Sequence, residues 1–166
     1  MGSDSLADSE QMLLALDEAT TVPQLLAATA RAIVEALDAQ ACTISRAIGD
    51  LLVDLVDYSR TGTGVQVGHG YLISDYPETR AVLERLESQT VFAGSPEANA
   101  EEVALLQELG FDSLLMLPLE EGGAAWGLVE VYDNKDDGFT SAQVAAAQGF
   151  VARAGAALAK LGKPTG

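Results

Sequence analysis

The chain has 166 residues, nine Lys and Arg against twenty-five Asp and Glu, one His and one Cys, for a formal net charge of −16. That length and a 48% hydrophobic content suit one domain with its own core, while so negative a surface argues against nucleic-acid and anionic-membrane partners, whose binding needs Lys and Arg. A lone Cys42 makes neither an internal disulfide nor a cysteine-rich zinc site and fits a reducing compartment. No apolar run reaches the roughly eighteen residues of a membrane span and no leader-like segment opens the chain, so the expectation is a cytoplasmic protein.

In chain order, residues 1–5 read as a flexible tail, 6–161 as one domain and 162–166 as a second tail. Leu13, Leu14 and Leu16 fall on a helical period. A second helix opens at Thr21, with Gln24 three residues on as a capping-box partner and Pro23 tolerated in the first turn. Leu25, Leu26, Thr29, Ile33 and Leu37 mark its apolar face.

Between Ala41 and Tyr58 the composition turns to β-formers, with Gly49-Asp50 as the turn of a hairpin. After the loop Arg60–Gly64, the alternation of Val65, Val67, His69, Tyr71 and Ile73 predicts a third strand. Asp75 to Glu87 predicts a short helix with Asp75 as N-cap, Glu78 as its capping partner, and Val82, Leu83 and Leu86 inward. Thr90-Val91-Phe92 is a brief apolar piece. A further helix then starts at Ser95-Pro96 or Asn99, carries Val103, Leu106 and Leu109, and stops at Gly110.

Two apolar runs, Ser113–Leu119 and Ala125–Tyr132, flank Glu120-Glu121-Gly122-Gly123 and predict a long hairpin of central strands. Thr140 and Gln143 open a closing helix in which Val144, Ala147, Val151, Ala154, Leu158 and Leu161 recur every three or four residues. The plan is α+β: an antiparallel sheet of five or six strands, long terminal helices on one face, and short helices and loops over a pocket on the other.

Three stretches carry a family resemblance. Ser74-Asp75-Tyr76-Pro77-Glu78-Thr79-Arg80 is similar to the Asp-x-Pro start of the pocket-covering helix of GAF domains. Ser113–Leu119 resembles their Pro-Leu strand. Gly127–Tyr132 with Phe139-Thr140 resembles their last strand and the entry to the closing helix. The resemblance spans most of the chain. It implies a sensory or regulatory domain of a bacterial-type signalling protein, such as a histidine kinase, a cyclic-nucleotide enzyme or a transcriptional regulator, holding a small molecule between sheet and short helices.

Candidate ligand contacts are His69, Tyr71, Asp75, Tyr76, Arg80 and Met116. Four of them also have a plain structural reading: hydrogen-bonded core for His69, N-cap for Asp75, solvated helix for Arg80 and packed core for Met116. Ligand identity stays open. Asn134, Lys135 and Phe139 fit the cyclic-nucleotide pattern of the family, but Gln143-Val144 stands where Asp-Glu is needed, which disfavours a cyclic nucleotide. Cys42, among small apolar neighbours on the first strand, argues against a covalent bilin. Haem has only His69 as an axial ligand.

No nucleophile elbow, Walker loop or zinc-protease helix is present, so no enzyme is expected. The closing helix is apolar on two sides. Val144, Ala147, Phe150, Val151, Ala154 and Leu158 are therefore candidates for a homodimer interface, and a ligand-free dimerisation module with a collapsed pocket is the alternative reading.

Overall fold

The structure, a computed structural model, describes residues 2–60, 70–96, 98, 100–134 and 138–162. Two helices open the chain, α1 (Gly2–Glu18) and α2 (Val22–Leu37). They are followed by strands β1 (Ala41–Ile48), β2 (Leu51–Ser59) and β3 (Gly70–Leu72). A 3₁₀ turn (Ile73–Asp75) leads into α3 (Pro77–Arg85), then β4 (Gln89–Phe92) and α4 (Ala100–Glu108). The chain closes with β5 (Ser113–Glu121), β6 (Ala124–Asp133) and α5 (Ser141–Leu161).

The six strands form one antiparallel sheet in the order β3-β2-β1-β6-β5-β4. The centre is thus made by β1 and β6, the first and last strands of the chain. The expected β5–β6 hairpin forms around Gly122 and Gly123, both at positive φ (64° and 82°), the conformation a tight hairpin turn demands. The Gly49-Asp50 turn likewise joins β1 to β2.

Alternation along the strands sorts the two faces. Cys42, Ile44, Leu115, Leu117, Val129 and Val131 point to one side, where Leu25, Ile33 and Leu37 of α2 and Ala147, Val151, Ala154 and Leu158 of α5 meet them. Leu52, Leu114, Met116, Leu128 and Tyr132 point to the other, under Val82 of α3 and Leu106 of α4. The molecule therefore has three layers, with the long helices on one face and the short helices on the other, as the sequence pattern required.

Local signals fare unevenly. Thr140 and Gln143 make the full reciprocal capping box, Gln143 N–H to Thr140 Oγ1 at 3.1 Å and Thr140 N–H to Gln143 Oε1 at 2.9 Å. At α2, Thr21 accepts from Gln24 N–H, but the Gln24 side chain turns to Thr20, accepting from its N–H at 3.1 Å. Asp75 does not cap a helix: it ends the 3₁₀ turn, and Tyr76 stands at the N-cap of α3 without a side-chain bond. The reason is Asp50, which takes Ser74 N–H at 2.9 Å and Ser74 Oγ–H at 2.6 Å and winds the chain one turn early. Helix α1 starts at Gly2, where a flexible tail was expected over 1–5. Of the predicted third strand only its end is described, Gly70–Leu72; residues 61–69 and 163–166 lie outside the described residues.

Candidate functional site

Between the sheet and the short helices lies a cavity of about 30 Å³. Its floor is Leu52 of β2, Glu130 and Tyr132 of β6 and Leu114 of β5. Its roof is Thr79 of α3 with Glu102, Leu105, Leu106 and Leu109 on and just after α4, and its side is Tyr71 and Tyr76. The two side tyrosines meet edge to face, ring centres 6.2 Å apart.

Strand register explains why a carboxylate lies in the floor. Met116 and Thr43 are the partners of Glu130 on the neighbouring strands, and all three project to the cavity side. Asp54, 1% exposed, pairs with Ser45 two residues along and accepts its hydroxyl proton. The Tyr132 hydroxyl donates to Glu130 Oε2 at 3.1 Å. Burial, with the negative charges of Asp54 and Glu102 nearby, pushes the Glu130 carboxyl up to about 8 against the opposing Tyr132 hydrogen bond. Burial, with the negative charges of Asp54 and Glu130 nearby, also holds Tyr71 up at about 12, and Tyr132 rises for burial and for Glu130.

The roof is tied together by a second carboxylate. Glu102, 4% exposed, accepts from Thr79 N–H at 3.2 Å, so a residue of α4 satisfies one of the open amides in the first turn of α3. Thr79 Oγ1 lies 3.3 Å from Glu102 Oε1 and 3.4 Å from Met116 Sδ, and its single proton serves one of them at a time. Burial raises the Glu102 carboxyl and the Thr79 bonds oppose that rise.

Of the residues named from sequence, Tyr71 and Tyr76 line the cavity. Met116 is fully buried beside it. Asp75 is exposed on the 3₁₀ turn. Arg80 is exposed and pairs along its own helix with Glu84 at 2.8 Å, because its position on α3 faces solvent while Thr79 and Val82 face inward. His69 and Lys135 lie outside the described residues.

Sequence reasoning missed Glu102, Glu130, Thr79 and Tyr132. Glu130 had a signal, a lone carboxylate in the apolar run Leu128–Tyr132. Glu102 had none, since an acidic residue in the first turn of a helix ordinarily faces water.

The seam proposed for dimer contact is used within the chain. Ala147, Phe150, Val151, Ala154 and Leu158 are 0–6% exposed in the core under α2 and the sheet, and Val144 packs against that core. The seam is therefore not free for a partner, because α5 needs it to hold the sheet. The opposite side of α5, with Ala145, Ala146, Gly149, Ala152 and Ala156, is exposed.

Among the described residues no group of three His, Cys, Asp or Glu is arranged to hold a metal ion, and no helix is long and apolar enough to cross a membrane. Cys42 is buried under the helical layer opposite the cavity, where burial drives its thiol pKa up.

Solved structures share this architecture. The chromophore-binding domain of a bacteriophytochrome from R. palustris superposes with a TM-score of 0.83 at 10% identity, over 96% of this chain and 62% of that one. The chromophore-binding domain of the Stigmatella aurantiaca bacteriophytochrome gives 0.78 at 13% identity, over 94% and 60%. This chain thus spans about three fifths of either. A phycocyanobilin-bound GAF domain from a cyanobacterial phytochrome gives 0.81 at 14% identity, over 95% and 94%. A far-red absorbing protein with bound biliverdin IXa gives 0.80 at 12% identity.

These neighbours overturn the expectation against a covalent bilin that rested on Cys42, since proteins of this fold hold biliverdin and phycocyanobilin. No curated protein matches the sequence. The GAF domain profile matches residues 21–158, and with the fold agreeing across that span the chain belongs to the GAF domain family, whose fold serves sensory small-molecule binding.

Proposed function

We propose that the chain is the sensory domain of a bacterial-type signalling protein, binding its ligand in the cleft under α3 and α4 and relaying occupancy through the long helices α1, α2 and α5. The observation that carries this reading is the cleft itself: two carboxylates, a threonine and three tyrosines gathered beneath a layer that a purely structural core would fill with apolar side chains. A bilin is the first ligand class to test, because structural neighbours hold bilins.

The closed cavity is far smaller than the roughly 300 Å³ at which ligand pockets begin, so a bilin requires the roof to lift. Helices α3 and α4 bury only two residues each, Thr79 and Val82 on one and Glu102 and Leu106 on the other, which makes this short-helix layer the lightly held part. The small cavity also favours the second reading, a ligand-free module that works through its helices. In either reading the buried seam of α5 stays inside the chain, and the exposed side with Ala146 and Gly149 is the face left to a second copy.

Titration of the purified protein with biliverdin and phycocyanobilin, followed by absorbance and thermal unfolding, tests the sensor. Binding at a hundredfold excess over Kd adds about 2.7 kcal/mol of stability. If neither these nor a panel of common metabolites changes the spectrum or the Tm, the ligand-free module takes its place.

A further inference from the structure

The polar lining of the cleft has one chemical sense. Among the described residues it presents Glu102, Glu130, Thr79 and three tyrosine hydroxyls, and no Lys, Arg or His. An anionic group placed here would meet two carboxylates with nothing to neutralise it. A neutral group would leave Glu130 holding its proton and would draw nothing from the acidic lining.

A further buried atom faces the same place. Thr43, 1% exposed, stands between Asp57 and Glu130 in the strand register and shares the cavity face with Glu130. Its hydroxyl turns to the Tyr132 oxygen, while the proton of the Tyr132 hydroxyl goes to Glu130, so the Thr43 oxygen keeps its capacity to accept. The size agrees: about 30 Å³ holds one or two water-sized groups, which is the space of an ammonium head and not of a whole metabolite. Leu105 and Leu109 supply apolar walls for whatever trails behind that head.

We propose that the cleft takes the protonated amino head of a small arylalkyl or alkyl amine, with Glu130 as its counter-charge and Glu102 and Thr43 accepting its remaining N–H bonds. This rests on the reading of the cleft as a ligand site. The head enters between Tyr71 and Tyr76, whose rings can give the cation a π face. In the empty protein Glu130 carries a proton at neutral pH, since its carboxyl titrates near 8 with Asp54 and Glu102 facing it. The exchange is balanced: the cation arrives, Glu130 loses its proton to the buffer, and the buried charge is unchanged.

Calorimetry on the full chain at pH 7, in two buffers of different ionisation enthalpy and at fixed ionic strength, decides the matter with three matched probes: 2-phenylethylamine, 2-phenylethanol and 3-phenylpropionate. Fixed salt is needed because a net charge of −16 gathers any cation loosely. The amine is expected to bind at least tenfold tighter than the alcohol or the acid and to release close to one proton. Glu130→Gln is expected to weaken the amine tenfold or more and abolish the release, with near-UV circular dichroism reporting that the fold is kept.

Equal binding of the alcohol or the acid, or amine binding without proton release, overturns the cation assignment and leaves the cleft a ligand site. Absence of amine binding while biliverdin binds does the same. Silence of all three probes and of the bilins removes both readings. The wild-type comparison stands alone if Glu130→Gln fails to fold.

Discussion

Two glycines on one helix should respond oppositely to the same added methyl group. A Cβ on Gly155 of α5 would meet the carbonyl oxygen of Glu120 at 2.3 Å, more than 1 Å inside ordinary contact, and both sides of that contact are backbone. Relief requires α5 to lift from the end of β5, loosening the layer that holds Val151, Ala154 and Leu158. Overpacking of this kind costs about 3 kcal/mol at the upper end of its usual range, and the better helix propensity of alanine returns about 1 kcal/mol. Gly155→Ala should therefore lose about 2 kcal/mol, or about 4–8 °C in Tm for a domain of this size.

A Cβ on Gly149, two turns earlier, meets nothing within 4 Å. Gly149→Ala should gain about 0.5–1 kcal/mol. Urea unfolding of both variants at low protein concentration, with the slope unchanged and the midpoint moved in opposite directions, is the expected result. A Gly155→Ala protein as stable as the parent would refute the close approach of α5 to β5. A loss at Gly149 that grows with protein concentration would show the exposed face of α5 at work in self-association.

Removing the Thr140 side of the capping box with Thr140→Ala should cost about 1 kcal/mol, read as a lower urea midpoint, since the Gln143 N–H at the start of α5 loses the hydroxyl it donates to. Leu106→Ala, which empties the inward face of α4 at a residue 1% exposed, should cost about 2–5 kcal/mol by the same assay. The pH dependence follows from Glu130: the fold keeps it protonated up to about 8, whereas the unfolded chain ionises it near 4.5, so stability falls as pH rises between those values and levels off above. Asp57 and Glu102 are shifted the same way by burial, so unfolding midpoints at pH 5, 6.5 and 8 should flatten only in part with Glu130→Gln. A flat parent profile would show that these carboxyls are not shifted.

What was legible in the sequence was what is local. The capping box at Thr140, the hairpin glycines 122 and 123, the 3.6-residue period of α2 and α5 and the apolar runs of β5 and β6 each act within a few residues of themselves, and each formed. The Asp75 cap failed because the residue that redirects the chain, Asp50, lies 24 positions before the Ser74 it holds. Within the cleft, Tyr71 could be named from the strand alternation before a short recognisable motif and Tyr76 from its place inside that motif, whereas Glu102 could not, its burial being a property of the roof and not of its own helix.

The sequence by itself thus determined the elements, their two-faced character and the acidic, single-cysteine chemistry of the chain, because periodicity, caps and composition depend only on near neighbours. The tertiary structure alone decided that β1 and β6 meet at the centre, that the apolar seam of α5 is used up inside the chain, and that Glu102 of the roof faces Glu130 of the floor across a nearly closed cavity. Those outcomes require residues tens of positions apart to share one layer, and only the packing of sheet against helices brings them there.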